Sequence, residues 1–285
     1  LNSLKVRLAL LITLVFWSSA FIGIRIGLGG YSPGALALFR FIVASFSVGL
    51  LYARIHHPNP MPWSIKIQLM FIGVISIGIY NYSLNLGEVT VSAGIASFIV
   101  GLMPVMTILL CVIFLKERPA TEVWLGIVVS LIGLALLIWG ENSQATWNNG
   151  IFFILISSLT GAIYNVVQKP YLKTYHPVAF TAWVVWGGTL SLLWFFPDLN
   201  KEWHQAGYSA NWAVLYLGIF PGAFAYAAWS YVLIHYTASR AAIYLYALPV
   251  LSTVMGMLIL QEYPSLISLG GGLLALVGAI IASRY

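Results

Sequence analysis

The chain has 285 residues, of which 61% are hydrophobic and only 7% charged, with a net charge of +6 and a mean hydropathy of +0.94. A water-soluble domain carries roughly 25% charged residues, so this composition excludes an ordinary soluble enzyme or binding module and calls for a surface that faces lipid. The positive balance has no basic cluster behind it, which excludes a nucleic-acid interface. A lone Cys111 in an apolar run excludes a disulfide framework and a CxxC metal site.

A membrane-spanning helix needs about 20 apolar residues, and runs such as Ile151 to Val167 and Gly271 to Ala282 lack the alternation of a β-barrel strand. In chain order the apolar runs predict ten helices, over 6–28, 35–55, 65–87, 91–115, 120–140, 149–169, 177–197, 210–234, 238–261 and 265–283. The run Leu8 to Ile24, with Ser18-Ser19-Ala20, imitates a signal peptide. Its length and the nine runs behind it instead favour an uncleaved first helix, on a chain that is expected to be trimmed before Leu1. Connections are short apart from His56 to Pro62 and Asp198 to Ser209, so no extramembrane domain is expected.

Counting Lys and Arg by side sets the orientation. With the N-terminus cytoplasmic, Lys5, Arg7, Arg54, Lys66, Lys116, Arg118, Lys169, Lys173, Arg240 and Arg284 lie on that side, against Arg25, Arg40 and Lys201 outside. Both termini are therefore expected in the cytoplasm. An internal repeat at an offset of 145 residues places Met103 to Pro119 (MPVMTILLCVIFLKERP) on Leu248 to Pro264 (LPVLSTVMGMLILQEYP). Within it Pro104 meets Pro249, Glu117 meets Glu262 and Pro119 meets Pro264. At offset 144 Arg25 meets Lys169 and Pro33 meets Pro177. Five helices per copy is an odd number, so residues 1–142 and 147–285 form two halves that enter the membrane from opposite sides. This is the inverted-repeat plan of secondary transporters, whose sites lie near the midplane between the halves.

The stretch Trp17 to Leu28 (WSSAFIGIRIGL), Pro33 and Leu36 to Phe41 (LALFRF) resemble the opening of an EamA-type repeat, and the P-V…E-R-P…G and P-V…E-Y-P…G blocks resemble its ending, once per half. The resemblance covers nearly the whole chain and implies membership of the drug/metabolite transporter superfamily, with helices 1, 3, 4, 6, 8 and 9 around a central cavity and helices 5 and 10 packed together. Within it the chain looks most like YddG-type exporters of aromatic and other amino acids. That likeness implies a multi-pass protein of a bacterial inner membrane, monomeric or weakly dimeric, whose partners are the bilayer and a small-molecule cargo, with no nucleic acid and no cofactor.

Candidate cargo-binding residues are Trp17, Ser18 and Phe21 on helix 1, Asn81, Tyr82 and Asn85 on helix 3, Phe98 on helix 4, Tyr164 and Asn165 on helix 6, Tyr226 and Ser230 on helix 8, and Tyr244 and Tyr246 on helix 9. Aromatic faces can hold an apolar side chain while amide and hydroxyl groups bond its polar end. The competing reading of each aromatic is an interfacial belt or plain packing. Asn81 enters if helix 3 is rotated from its simplest setting. Pro104 and Pro249, expected near the middle of helices 4 and 9, are candidate hinges, because a proline there opens the hydrogen-bond ladder; a static kink is the alternative.

Glu117 and Glu262 read as carboxylates beside the helix starts at Pro119 and Pro264 rather than as a proton relay. Arg25 and Arg40 read as side chains that snorkel to the external face; Arg40 pairing with an internal acceptor or a cargo carboxylate is the alternative. All seven acids, Glu88, Glu117, Glu122, Glu141, Asp198, Glu202 and Glu262, map to span ends or loops, so carriage without a buried carboxylate relay is expected. His235, at the inner end of helix 8, is read as a loop residue. A stripe of small residues, Gly271, Ala275, Ala279 and Ser283, fits close packing of helix 10 on helix 5. With no cation or acid expected at mid-span, zwitterionic or neutral cargo fits better than nucleotide sugars, sugar phosphates or cationic drugs. An intramembrane enzyme lacks its motifs: there is no HExxH or GxSxG, and the five His residues lie near loops.

Overall fold

A computed structural model describes residues 2–55, 61–115, 121–141, 149–236, 241, 244–245 and 247–283; Glu117 and Tyr246 lie outside the described residues. Among these residues the chain forms ten helical elements in two sets of five. α1 is Asn2–Gly27, α2 Pro33–Arg54 and α3 Trp63–Glu88. α4 comes in two pieces, Ala93–Val100 and Met103–Leu115, and α5 is Thr121–Glu141. The second set is α6 Asn149–Leu172, α7 Pro177–Glu202, α8 Tyr208–His235 and α9 Ala247–Leu260, with α10 Leu266–Ser283. Seven of the elements have a described stretch long and apolar enough to cross a bilayer, and the apolar stretches Thr121–Leu136, Ala247–Leu260 and Leu266–Gly278 are shorter.

The outside of the bundle is apolar. Phe46, Phe71, Ile113, Leu131 and Leu258 are exposed, and Trp63, Trp139, Trp194 and Trp212 stand exposed near helix ends. A soluble protein rarely exposes so much contiguous apolar surface, whereas lipid requires it, with tryptophans at the interfaces. Inside, small residues let backbones meet. A Cβ on Gly133 of α5 would sit 2.2 Å from the Ala275 nitrogen of α10, and one on Gly278 would sit 2.4 Å from the Ser130 nitrogen. Ser130 Oγ also donates to the Ala275 carbonyl (3.0 Å). The α5–α10 pair thus packs at the side of the bundle, as the small-residue stripe suggested.

The structure departs from the sequence reading in several places. The stretch after Phe196 stays helical to Glu202 instead of forming a loop, with Pro197 in its first turn, where a missing N–H costs nothing. There Glu202 Oε2 accepts from the Ser32 nitrogen (2.8 Å) and caps the start of α2. α4 is broken at Gly101–Leu102, so Pro104 is the second residue of a new helical piece rather than a mid-helix kink, and Pro249 is the third residue of α9 as described. A Cβ on Gly101 would lie 3.0 Å from Pro249 Cγ, so α4 and α9 cross at this break. His235 closes α8 as its last helical residue.

Of three π-helical turns among the described residues, one closing α9 at Gly256–Leu260, two interrupt the ladder in matching places: Val74–Ile79 in α3 and Phe220–Ala225 in α8. They begin 146 residues apart, so each half carries one at the same point of its third helix. A π turn inserts an extra residue into an α-helix, rotates everything after it and is common at functional sites.

Candidate central cavity

A cavity lies between the two halves, walled by α1, α2, α3, α4, α6, α8 and the start of α9. About 60 Å³ of it is open to the centre of a water-sized sphere. α1 offers Trp17, Ala20 and Phe21 along one face. Trp17 is held edge-on to Tyr226 (5.4 Å between centroids) and tilted against Trp229 (5.5 Å). Its Nε1 donates to the Pro221 carbonyl (3.4 Å) inside the π turn of α8, where the irregular ladder presents that oxygen. Tyr164 stacks on Phe180 (6.1 Å) and meets Tyr226 (6.2 Å), and its hydroxyl is buried with no hydrogen-bond partner. Asn165 ties the wall together: its Nδ2 donates to Met103 Sδ (3.3 Å) and its Oδ1 accepts from Trp229 Nε1 (3.2 Å). α3 contributes Ser76, Tyr80, Asn81 and Leu84. Asn81 Nδ2 donates to the Ile77 carbonyl (2.9 Å), which leaves its buried Oδ1 without a partner.

Of the candidates named from sequence, the cavity brings together Trp17, Phe21, Asn81, Tyr164, Asn165 and Tyr226. The others point elsewhere. Ser18 is one position round the helix and donates to the Leu248 carbonyl (3.5 Å). Tyr82 stacks on Phe195 of α7 (4.7 Å), and Asn85 Nδ2 donates to the Pro33 carbonyl of α2 (2.9 Å). Phe98 packs where Gly272 of α10 leaves room: a Cβ there would meet its ring at 2.5 Å. Ser230 shares a hydrogen bond with Thr181 (3.2 Å). Tyr244 is 42% exposed beside Tyr236.

Sequence reasoning missed Tyr80 and misplaced Arg40. Arg40 does not snorkel to the surface: it is 3% exposed and lines the cavity, with Nε and Nη1 lacking any hydrogen-bond partner. Among the described residues it is the one charged side chain on the cavity wall, which corrects the expectation of no mid-span cation. The expectation that no acid is enclosed is corrected too. Glu88, the last residue of α3, is fully buried and neither carboxylate oxygen has a partner, although it stands off the cavity wall beyond Leu84.

At the end of the bundle where α1 and α3 finish, one ion pair joins the halves. Arg25 Nε donates to Glu262 Oε1 (3.0 Å), and Arg25 Nη1 to the Glu88 carbonyl (2.5 Å). Glu262 Oε2 accepts from the Ala93 nitrogen (2.9 Å), so this carboxylate caps α4 of the other half rather than its own α10. Gln261 enables that reach: its left-handed backbone (φ 56) ends α9 and turns the chain toward α4. At the opposite end Lys169, the repeat partner of Arg25, donates to the Leu233 (2.5 Å) and Tyr236 (2.6 Å) carbonyls where α8 finishes. One cation in each half thus closes the end of that half's third helix.

The profile of the EamA-like transporter family matches residues 4–139 and again 148–284. An uncharacterized transporter of Bacillus subtilis, YdfC, is 38% identical over 263 residues, 92% of this chain and 85% of its own. A protein of Streptantibioticus cattleyicolor described as a probable terminal-alkyne amino-acid exporter is 29% identical, covering 97% of this chain and 92% of its own. A solved crystal structure aligns with a TM-score of 0.69 over 98% of both chains, at 17% identity, which speaks for the fold alone.

Proposed function

The chain belongs to the EamA-like transporter family, and from that premise we propose that it exports neutral, zwitterionic amino acids across a bacterial plasma membrane by alternating access. The observation that carries this reading is the cavity between the two halves, with a latch joining those halves at one end. Its 60 Å³ of centre-accessible space holds roughly four to six waters, or about 120–180 Å³ of liquid. That is the bulk of a small aliphatic amino acid and far below that of a nucleotide sugar. The narrow space of this arrangement favours the smaller amino acids as cargo. The named amino-acid exporter among the relatives supports the same class.

With both termini cytoplasmic, the Arg25–Glu262 latch lies at the external face, and this arrangement is the externally closed one. The matched π turns in α3 and α8 and the α4 break at Gly101–Leu102 are where each half can bend, because their ladders are already irregular. Glu88 stands off the cavity wall, so cargo movement proceeds without a carboxylate relay. The test is counterflow into proteoliposomes of the purified chain, with a panel of labelled amino acids and with or without a pH gradient. Saturable exchange of small neutral amino acids is expected, altered by less than about twofold by the gradient. No flux of any amino acid overturns the cargo, in favour of another metabolite on the same fold; strict proton dependence would move coupling onto Glu88.

A further inference from the structure

We infer that Arg40 is the anchor for the cargo's carboxylate, so that a free carboxylate, rather than an apolar side chain, is what every cargo of this cavity must share. The inference rests on the cavity being the cargo site and names what that site recognises.

A guanidinium inside a membrane protein is costly and is normally paired. Arg40 is buried, and Nε and Nη1, which lie on the two different edges of its guanidinium, have no hydrogen-bond partner. Its neighbour in charge, Glu88, forms no ion pair with it, since the ion pair among the described residues joins Arg25 and Glu262. The ring of Phe41 lies under the guanidinium at 5.2 Å, which steadies the plane without using its N–H groups. The backbone at Arg40 is pinned as well: a Cβ on Gly218 of α8 would meet the Arg40 carbonyl at 2.6 Å. Each edge of this flat group on the cavity wall therefore has an N–H without a partner, and such an edge is complementary to a carboxylate, which takes two parallel N–H bonds. The remaining unpartnered groups on the wall, Asn81 Oδ1 and the Tyr164 hydroxyl, can accept from an ammonium group. They carry no formal charge, so the site demands the carboxylate and only tolerates the amine.

The inference has a thermodynamic signature that a packing role does not share. An unpaired buried charge destabilises the empty protein, and replacing it with a neutral side chain removes that cost. Purified Arg40→Gln is therefore expected to unfold at a temperature equal to or above wild type without cargo. It is expected to lose the stabilisation that valine gives wild type, and to raise KM for valine counterflow by roughly 10- to 100-fold. Arg40→Lys keeps the charge without the fork and should fall between the two. Wild type should carry valine and not valinamide, which lacks the carboxylate.

A less stable Arg40→Gln makes Arg40 a structural brace and overturns the inference, as does an unchanged KM. So does stabilisation of wild type by acetate or phosphate as strong as that by valine, which would leave only a general anion seat. If wild type carries no amino acid at all, the cargo proposal has failed instead, which the wild-type arm reports separately.

Discussion

In Glu262→Gln, the cavity becomes about tenfold more reactive to a charged thiol reagent added outside. The reporter is Ala20→Cys, a small wall residue, in a background where the chain's single cysteine, Cys111, is Ser. The amide can still cap the Ala93 nitrogen but no longer pairs as an anion with Arg25, whose bond is 3.0 Å. A hydrogen bond to a charged group contributes about 1.5–3 kcal/mol, against about 1 for a neutral one, and each 1.4 kcal/mol shifts a two-state balance tenfold. The pair is partly exposed, at 31% and 20%, so the contrast with wild type should shrink in high salt. Labelling that is equal in both proteins at low salt would show that the pair does not hold the external end shut.

Trp17→Ala carries the second large effect. The indole forms a wall of the cavity, contacts the rings of Tyr226 and Trp229 and bonds to the Pro221 carbonyl. Removing the indole takes away an apolar face that the cargo would contact, at about 25 cal/mol per Å² of lost burial, and with about 1.4 kcal/mol per tenfold in affinity the expected rise in KM for counterflow is about tenfold. Trp17→Phe keeps the ring contact and loses the hydrogen bond, worth about 0.5–1.5 kcal/mol, so it should cost only a few-fold. Unchanged kinetics in a well-folded Trp17→Ala protein removes the residue from the cargo path.

The repeat and the charge asymmetry were enough to read ten helices in two opposed halves, because both follow from span count. Helix 1 was also legible: Trp17 and Phe21 are four apart and share a face whatever the rotation. Helix 3 was not. Its π turn at Val74–Ile79 rotates the residues after it, so that Ser76, Tyr80 and Leu84, with Asn81, reach the cavity while Tyr82 and Asn85 turn to α7 and α2. No residue in that stretch announces an inserted turn, although α8 carries Pro221-Gly222 at the matching place. Depth alone does not decide where the Arg40 side chain goes. It lies seven residues into α2, roughly 10 Å below the helix start, close enough to snorkel on an outward face. The face is decided by tertiary packing: α2 is covered by α7 through Ser45 and Thr189 (2.8 Å) and by α8 at Gly218. Glu88 obeys the same rule, since a span end can still lie inside the bundle.

The most direct test of the central claim, that this cavity is where cargo sits, is protection of Ala20→Cys from a small thiol reagent by the cargo itself. Saturating valine should slow labelling in proteoliposomes about tenfold, valinamide should leave the rate unchanged, and Trp17→Ala should need correspondingly more valine for the same protection. Labelling equally fast with and without valine, in a protein that still exchanges valine, would place the cargo elsewhere and contradict the account.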